Sequence, residues 1–599
     1  MSDKNKILFS DFSSVSTEQW MERVTADLKG ADFDRKLVWK NLTGINFQPC
    51  YNIENSITQL KNTGENSQSL VNYRSVAACC GKSGNDLALK AIEEGINGII
   101  FQMITNVSVE ELLNGIDLNT ISVSFKLFNN AIPFTKDLVA FAKGKNLKGY
   151  IDTNLISGYV TTGSFNESLV DVTAELIKLT KHFPNFKAIT ISGTEYLDSG
   201  ANQVQEIGYT LSSLVFLTEK LKEKEIAVQQ IFDNLNFNLA IGLEYFVEIG
   251  KFRAFNNLLA EVAAKYQLAD FSNTITAKTS IWSKSITDAE TNLLRCTTEA
   301  MAAILGNVDG VLIDPYDKEF KSSSDFSSRI AGNITTILKE ESYFGKVSNP
   351  VDGSYYIEEV SSKIAEKALE LFKAIEADGG FYINFEKEII QQQIAEIRLQ
   401  KLKLISQRRT PMVGINKYPN LMEKISANLL SKGISENPKV LTPRRASLEI
   451  EAMRRVTEEL VDETNVRPIV QLASYGNLTM RKARAAFAYD FIGVSGFDVH
   501  QEESFANALV AATESAKSTS NVVVICSSDE DYDETAVEFV KAFRAIDTDK
   551  VLLLAGAPKN IDELTAVGLD GVVNMRTDVL VSLSSIQKKV QKTFKSLEV

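Results

Sequence analysis

The sequence predicts an α/β protein made of two successive strand–helix repeats: a (β/α)8 barrel followed by a doubly wound parallel sheet. Three observations predict this. Between about residues 70 and 345, short apolar runs alternate with helical patterns. From residue 466 onward five further short runs alternate with helical segments. The stretch between the two blocks carries long amphipathic patterns of helical period.

Each element rests on local spacing. SSVSTEQWMERVTADLKG (13–30) puts Trp20, Val24 and Leu28 on one helical face and ends on Gly30 as C-cap. It reads as part of an arm, residues 1–45, that packs on a partner. Strands are expected near 72–78, 97–103, 120–126, 148–153, 187–192, 227–233, 271–277 and 310–314. Eight such units occupy a length close to the ~250 residues of a TIM barrel. With its flanking helices this domain is taken as 46–418. YYIEEVSSKIAEKALELFKAIEAD (355–378) is a strong amphipathic helix closed by Gly379–Gly380, and 383–407 continues as charged helix. Thr442–Pro443 offers an N-cap and first-turn proline for a helix to about Leu460, inside a linker at 419–465. In 466–599 the strands VRPIVQLA, FDVH, NVVVICS, VLLLAG and GVVNM form a flavodoxin-like sheet. A ligand would sit at the strands' carboxyl ends, where Gly476–Lys482 follows the first of them.

Composition narrows the function. The 599 residues are 44% hydrophobic and 24% charged, the mix of a globular protein with large cores. Lys and Arg number 64 against 77 Asp and Glu, a net −13, which argues against nucleic acid or an anionic membrane as a partner. The five cysteines form no CxxC pair and fit a reducing cytoplasm; adjacent Cys79 and Cys80 read as small core filling. No apolar run approaches the ~20 residues of a membrane span, and the polar start MSDKNKILFSDF is unlike a signal peptide. A cytoplasmic location is expected.

Only His182 and His500 offer imidazole. His182 lies in the turn KHFPN and reads as structural; His500, at the end of a strand, reads as an exposed turn residue. Glu340, Glu341 and the run DEDYDE (529–534) read as solvated faces. Arg444, Arg445, Arg454 and Arg455 read equally as a grip on a partner's acids or as a solvated helix face.

Several longer stretches carry a resemblance: FSSRIAGNITTILKEESYFGKVSNPVDGSYYIEEV (326–360), RCTTEAMAAILG (295–306), FPNFKAITISG (183–193), IEADGG (375–380) and VGINKY (413–418). With the barrel-then-flavodoxin order, the chain resembles the methylmalonyl-CoA mutase family of adenosylcobalamin-dependent acyl-CoA isomerases. The resemblance implies a second domain that presents a His to cobalt and a barrel that encloses acyl-CoA. At the family's Asp-x-His-x-x-Gly positions this sequence has Leu478, Met480 and Ala483. The family's cofactor-tail loops correspond to Ser527–Ser528–Asp529, Ala555–Gly556 and Asn574–Met575–Arg576. In the barrel, Thr194 and Glu195 replace a Tyr-His, Asp152 and Thr162 a Gln and an Arg, and Thr276 a His; the Arg-rich loop shrinks to NTGENSQSLVNYRS (62–75). Glu195 reads as a structural carboxylate rather than a substitute acid.

The resemblance therefore implies a degenerate cobalamin-binding domain and a chain without catalytic, cofactor or metal ligands of its own. Such a chain would be the small partner of a larger catalytic subunit in a heterodimer. The large subunit would hold adenosylcobalamin and interconvert (R)-methylmalonyl-CoA and succinyl-CoA. Alternatives are an acyl-CoA mutase active in its own right with displaced cobalt ligation, and a cobalamin-independent acyl-CoA-binding scaffold. The barrel centre is expected to be packed with side chains.

Overall fold

The computed structural model describes residues 13, 15–54, 70–322, 324–344, 346–347, 349–430 and 437–597. Residues 62–69 of the contracted loop lie outside them.

The barrel strands are β1 (Val71–Ala78), β2 (Gly98–Met103), β3 (Ser122–Lys126), β4 (Gly149–Asp152), β5 (Phe186–Lys187, then Ile189–Ser192 after a break at Ala188), β6 (Leu235–Ile241), β7 (Thr274–Thr279) and β8 (Gly310–Leu312). All pairings are parallel; β8 pairs with β1, and the two parts of β5 pair with β4 and β6, which closes the ring. One expected strand moves. The run at 227–233 is the short helix Val228–Phe232, and β6 follows as LNFNLAI, its apolar pattern broken by Asn236 and Asn238.

Paired residues on neighbouring strands share a face, so the register sorts the lumen from the outside. Tyr73, Ser75 and Ala77 face inward on β1, with Ile100 and Gln102 on β2, Ser124 and Lys126 on β3, and Tyr150 and Asp152 on β4. Opposite them stand Thr190 and Ser192, Asn236 and Asn238, Thr276 and Lys278, and Leu312. The expected packing holds for the lower half only. Tyr73, Ile100, Tyr150 and Leu312 form a buried floor. The two tyrosine rings meet edge-on at 6.0 Å, and the Tyr73 hydroxyl lies 3.0 Å from Ser122 Oγ. Gly98 and Gly310 make room for it, since a Cβ on either would collide with the Tyr73 ring. Above the floor the lumen is polar, and Ser75 and Ala77 are exposed.

Outside the ring, helices Gln203–Glu223 and Tyr245–Lys265 pack beneath Tyr355–Ala377. Lys251, Glu206 and Glu248 are all fully buried there, with Lys251 Nζ 2.8 Å and 2.6 Å from the two carboxylates. Those carboxylates hold the Lys251 ammonium in its charged form against the pull of burial. The helix expected over 383–407 is two, Gly380–Glu386 and Ile389–Ser406, broken where Glu388 takes φ +62°. In the arm, helix Thr17–Asp27 is capped by Ser16 and buries no residue; Trp20 meets Phe33 edge-on at 6.3 Å.

The helix expected from Thr442 begins at Leu448, after N-cap Ser447. Residues before it are held extended against the barrel: Leu441 N–H donates to Val160, Arg444 to Asp198 and Ala446 to Trp282. Leu448–Thr464 then packs on Val579–Leu597 as part of the second core. The second sheet consists of β9 (Ile469–Ser474), β10 (Asp498–Val499), β11 (Val522–Cys526), β12 (Val551–Ala555) and β13 (Gly571–Val573). Its order, β10-β9-β11-β12-β13, is that of a flavodoxin-like sheet, with Glu503–Ser504 adding a short pairing to β9. Among the described residues no helix is long and apolar enough to cross a membrane.

Candidate functional site

In an open parallel sheet the ligand crevice lies at the carboxyl ends of the strands where the strand order reverses, here between β9 and β11. The chain fills that crevice itself. After β9, Gly476 takes φ +73° and Asn477 caps a helix that begins at once, Leu478–Gly493. Leu478 and Met480 are on its first turn, 56% and 37% exposed, and Ala483 is exposed one turn on. Asp531, from the helix after β11, reaches across. Its Oδ2 accepts from Ser527 Oγ and Ser528 Oγ at 2.7 Å, from Asn477 N–H at 3.1 Å and from Ser528 N–H at 3.3 Å. Burial works to raise the Asp531 pKa; the donors outweigh it and hold the carboxyl below its usual range.

The neighbouring loops, which the resemblance aligns with the family's cofactor-tail loops, are tied down the same way. Fully buried Tyr532 lies under Gly556, and its hydroxyl oxygen is 2.7 Å from Ser527 N, 2.9 Å from Ala555 O and 3.1 Å from Ile525 O. Asn574 Nδ2 donates to Gly556 O at 3.1 Å, joining the last two loops. Tyr475 stacks on Phe539 at 6.0 Å. These groups do not fit a cobalt-bearing corrin. The loop offers hydrocarbon and thioether where a carboxylate-oriented imidazole is required, and the buried Tyr532 ring packs beneath the neighbouring loop at Gly556. His500, 55% exposed at the end of β10, lies 3.6 Å from Asp498; His182 is exposed in its turn.

The second candidate is the C-terminal mouth of the barrel, where barrel enzymes work. Of the five barrel positions singled out in the sequence, four are brought toward the lumen. Asp152 ends β4, 3.9 Å from Lys126 Nζ; burial raises its pKa while Lys126 opposes. Thr194 and Glu195 open the helix after β5, where the Thr194 hydroxyl lies 2.8 Å from Ser192 Oγ and 3.1 Å from Glu195 Oε2. Thr276 is deeper, buried on β7, its hydroxyl 3.3 Å from Asn236 Oδ1. Thr162 is elsewhere: it ends helix Leu155–Thr162, exposed, with its hydroxyl donating to Gly158 O.

Residues that the sequence did not single out complete the mouth. Lys278 lies 3.8 Å from Asp314, which Lys318 approaches at 2.7 Å. Asp314 raises the Lys278 pKa above its usual value. Asp198, accepting from Ser280 Oγ and Ile281 N–H, is pushed up to about 6 by burial. Beside the mouth, a cleft of about 770 Å³ between the β2 and β3 loops is lined by Ile104, Phe128 and Pro133 among others. Cys79 and Cys80 are exposed on this rim, contrary to core filling, because the chain leaves the sheet there and Cys80 caps the next helix. Among the described residues no group of His, Cys, Asp and Glu is arranged to hold a metal ion.

Residues 75–486, from within β1 to the helix after β9, match the family model described as methylmalonyl-CoA mutase. The chain belongs to the methylmalonyl-CoA mutase family. It is similar over its length to the methylmalonyl-CoA mutase small subunit of Porphyromonas gingivalis, at 31% identity over 98% of this chain and 99% of that one. The small subunit of Streptomyces virginiae is 27% identical, covering 82% of this chain and 81% of its own. The methylmalonyl-CoA mutase of Rhizobium meliloti is 27% identical over 67% of this chain and 57% of its own. The family match thus covers the barrel and reaches into the second domain.

Proposed function

We propose that the chain is the small, non-catalytic subunit of a heterodimeric methylmalonyl-CoA mutase. The large subunit carries adenosylcobalamin and interconverts (R)-methylmalonyl-CoA and succinyl-CoA; this chain binds no cobalamin and supports its partner in the cytoplasm. The observation that carries the reading is the self-filled crevice between β9 and β11. Asp531 bridges the loops after β9 and β11 there, Tyr532 fills the adjoining space between the ends of β11 and β12, and Leu478, Met480 and Ala483 supply no imidazole. Small-subunit names among the relatives support the same assignment. So does the barrel mouth, where Thr194, Glu195, Asp152 and Thr276 stand at positions at which catalytic relatives are expected to carry Tyr, His, Gln and His.

In this reading residues 1–45 are the partner-contacting arm, and 419–465 run between the two domains, with helix Leu448–Thr464 already packed into the second core. A helix that buries nothing, with Met21 exposed on it and Val15 exposed just before it, supports such a contact. The two subunits, as duplicated copies of one fold, would pair about a pseudo-twofold axis.

The test is reconstitution. A larger homologue bearing Asp-x-His-x-x-Gly is co-expressed with this chain, and the two are assayed apart and together for conversion of methylmalonyl-CoA with added adenosylcobalamin. Stable co-purification, with cofactor and turnover tracking the larger chain, is the expected result. Turnover by this chain alone would overturn the proposal.

A further inference from the structure

We infer that the C-terminal mouth of the barrel is a binding site for a small zwitterion, a molecule bearing one carboxylate and one ammonium group. This goes beyond the support role proposed above and does not depend on it. In a ring of eight strands, β3 and β4 stand opposite β7 and β8. The register puts Lys126 beside Asp152 on one wall and Lys278, two residues below Asp314 in register, on the other. The same Lys–Asp pair therefore faces the lumen from both sides.

Both pairs are open. Nζ of Lys126 and Lys278 stand 3.9 Å and 3.8 Å from their carboxylates, and among the described residues neither makes a hydrogen bond. By contrast the buried Lys284 and Lys251 close on Glu299 and Glu248 at 2.6 Å, whereas Lys126 and Lys278 are half-buried and stop short of their acids. Asp314 is buried, and its Oδ2, the oxygen turned toward Lys278, has no hydrogen-bond donor among the described residues. Among the described residues Lys126 has, besides Asp152, only the Phe128 ring at 5.8 Å. A buried polar atom without a donor is costly unless a ligand or water completes it.

The space is reachable and bounded. Ser75 and Ala77 on the same lumen face are exposed, and Tyr73 with Tyr150 closes the floor. Between the walls the half-buried Glu195 accepts a hydrogen bond from Thr194. Its charge acts on both Asp152 and Lys278.

The arrangement selects by charge. Lys126, Lys278 and Lys318 are interspersed with Asp152, Glu195, Asp198 and Asp314, so a dianion meets carboxylates and a diamine meets ammonium groups. A zwitterion answers both: its carboxylate accepts from a wall lysine while its ammonium donates to Asp314 Oδ2, the oxygen left without a donor, and to Glu195. Charge-assisted bonds of this kind are stronger than those between neutral groups.

The test is calorimetric titration of the full-length chain with probes differing in charge: 4-aminobutanoate and 6-aminohexanoate as zwitterions, succinate as dianion, 1,4-diaminobutane as dication. Saturable binding of at least one zwitterion, and at least tenfold weaker binding of succinate and the diamine, is expected. Lys278→Met and Glu195→Gln should each weaken zwitterion binding at least tenfold; should the first fail to fold, Lys126→Met carries the same expectation. Titrations in which no zwitterion saturates, in which succinate or the diamine binds as tightly, or in which folded variants match the wild type would each overturn the inference. The readout needs no partner subunit, so failure here leaves the assembly proposal standing, and failure of that proposal leaves this one.

Discussion

Grafting the missing motif onto the second domain would test how thoroughly its crevice has closed. The perturbation is Leu478→Asp, Met480→His and Ala483→Gly, three exposed positions on the first turns of the helix after β9. The graft supplies an imidazole and a carboxylate but leaves the neighbouring slot occupied. On the proposed reading, a ligand tail entering beneath Gly556 would have to displace Tyr532. The ring is fully buried, and emptying such an aromatic site costs about 3–5 kcal/mol. Its hydroxyl also gives up the contacts with Ser527 N and Ala555 O, about 1 kcal/mol each. The obstruction therefore amounts to about 5–7 kcal/mol before Asp531 is counted. A site that would bind at about 1 µM without it, near −8 kcal/mol, is left weaker than millimolar. Titration of the grafted chain with hydroxocobalamin, followed in the visible spectrum, should show no saturable change at micromolar concentrations. A stoichiometric spectral shift from the three-residue graft alone would refute the reasoning.

Three further outcomes follow from the described contacts. Lys251→Met strands Glu206 and Glu248 in a fully buried site. It should lower the barrel's unfolding free energy by about 3–5 kcal/mol in urea melts, and Lys251→Met with Glu206→Gln and Glu248→Gln should recover most of the loss. Asp198 and Asp309 both have pKa values pushed up to about 6 by burial, from an ordinary 3.8. A raised folded-state pKa stabilises fully below the unfolded value and is lost as pH rises through the folded one. Each acid's contribution, at most about 3 kcal/mol, should therefore decline between pH 4 and pH 6, and Asp309→Asn should flatten that part of the urea-midpoint profile. Native-state titration with Ellman's reagent should modify Cys50, Cys79 and Cys80 quickly and spare buried Cys296 and Cys526 until the chain unfolds; rapid modification of Cys526 would contradict the packing of β11.

The alternation of strands and helices was legible because most barrel strands, and all of the second sheet, carry compact apolar runs. β6 escaped because its inward Asn236 and Asn238 look like loop residues, while VQQIF upstream has apolar residues that fit a strand as well as a short helix. Thr442–Pro443 has the local signature of a helix start, yet long-range hydrogen bonds to Val160, Asp198 and Trp282 keep that segment extended until Ser447. The deficit at Leu478, Met480 and Ala483 was visible as residue types. What fills the crevice was not: DEDYDE reads as a solvated face, and only the crossover after β11 shows that Asp531 and Tyr532 turn inward. Lys278 and Asp314 were missed for a related reason, since they come to face the same lumen as Lys126 and Asp152 only when the ring closes.

The tyrosine floor makes this barrel a cup rather than a pipe. Whatever enters at the carboxyl-terminal rim must leave by the same opening, so arrival and departure share one doorway. Anything seated over that rim, such as a second protein, would act as a stopper on both at once. Exchange of a guest would then report directly on whether the stopper is in place.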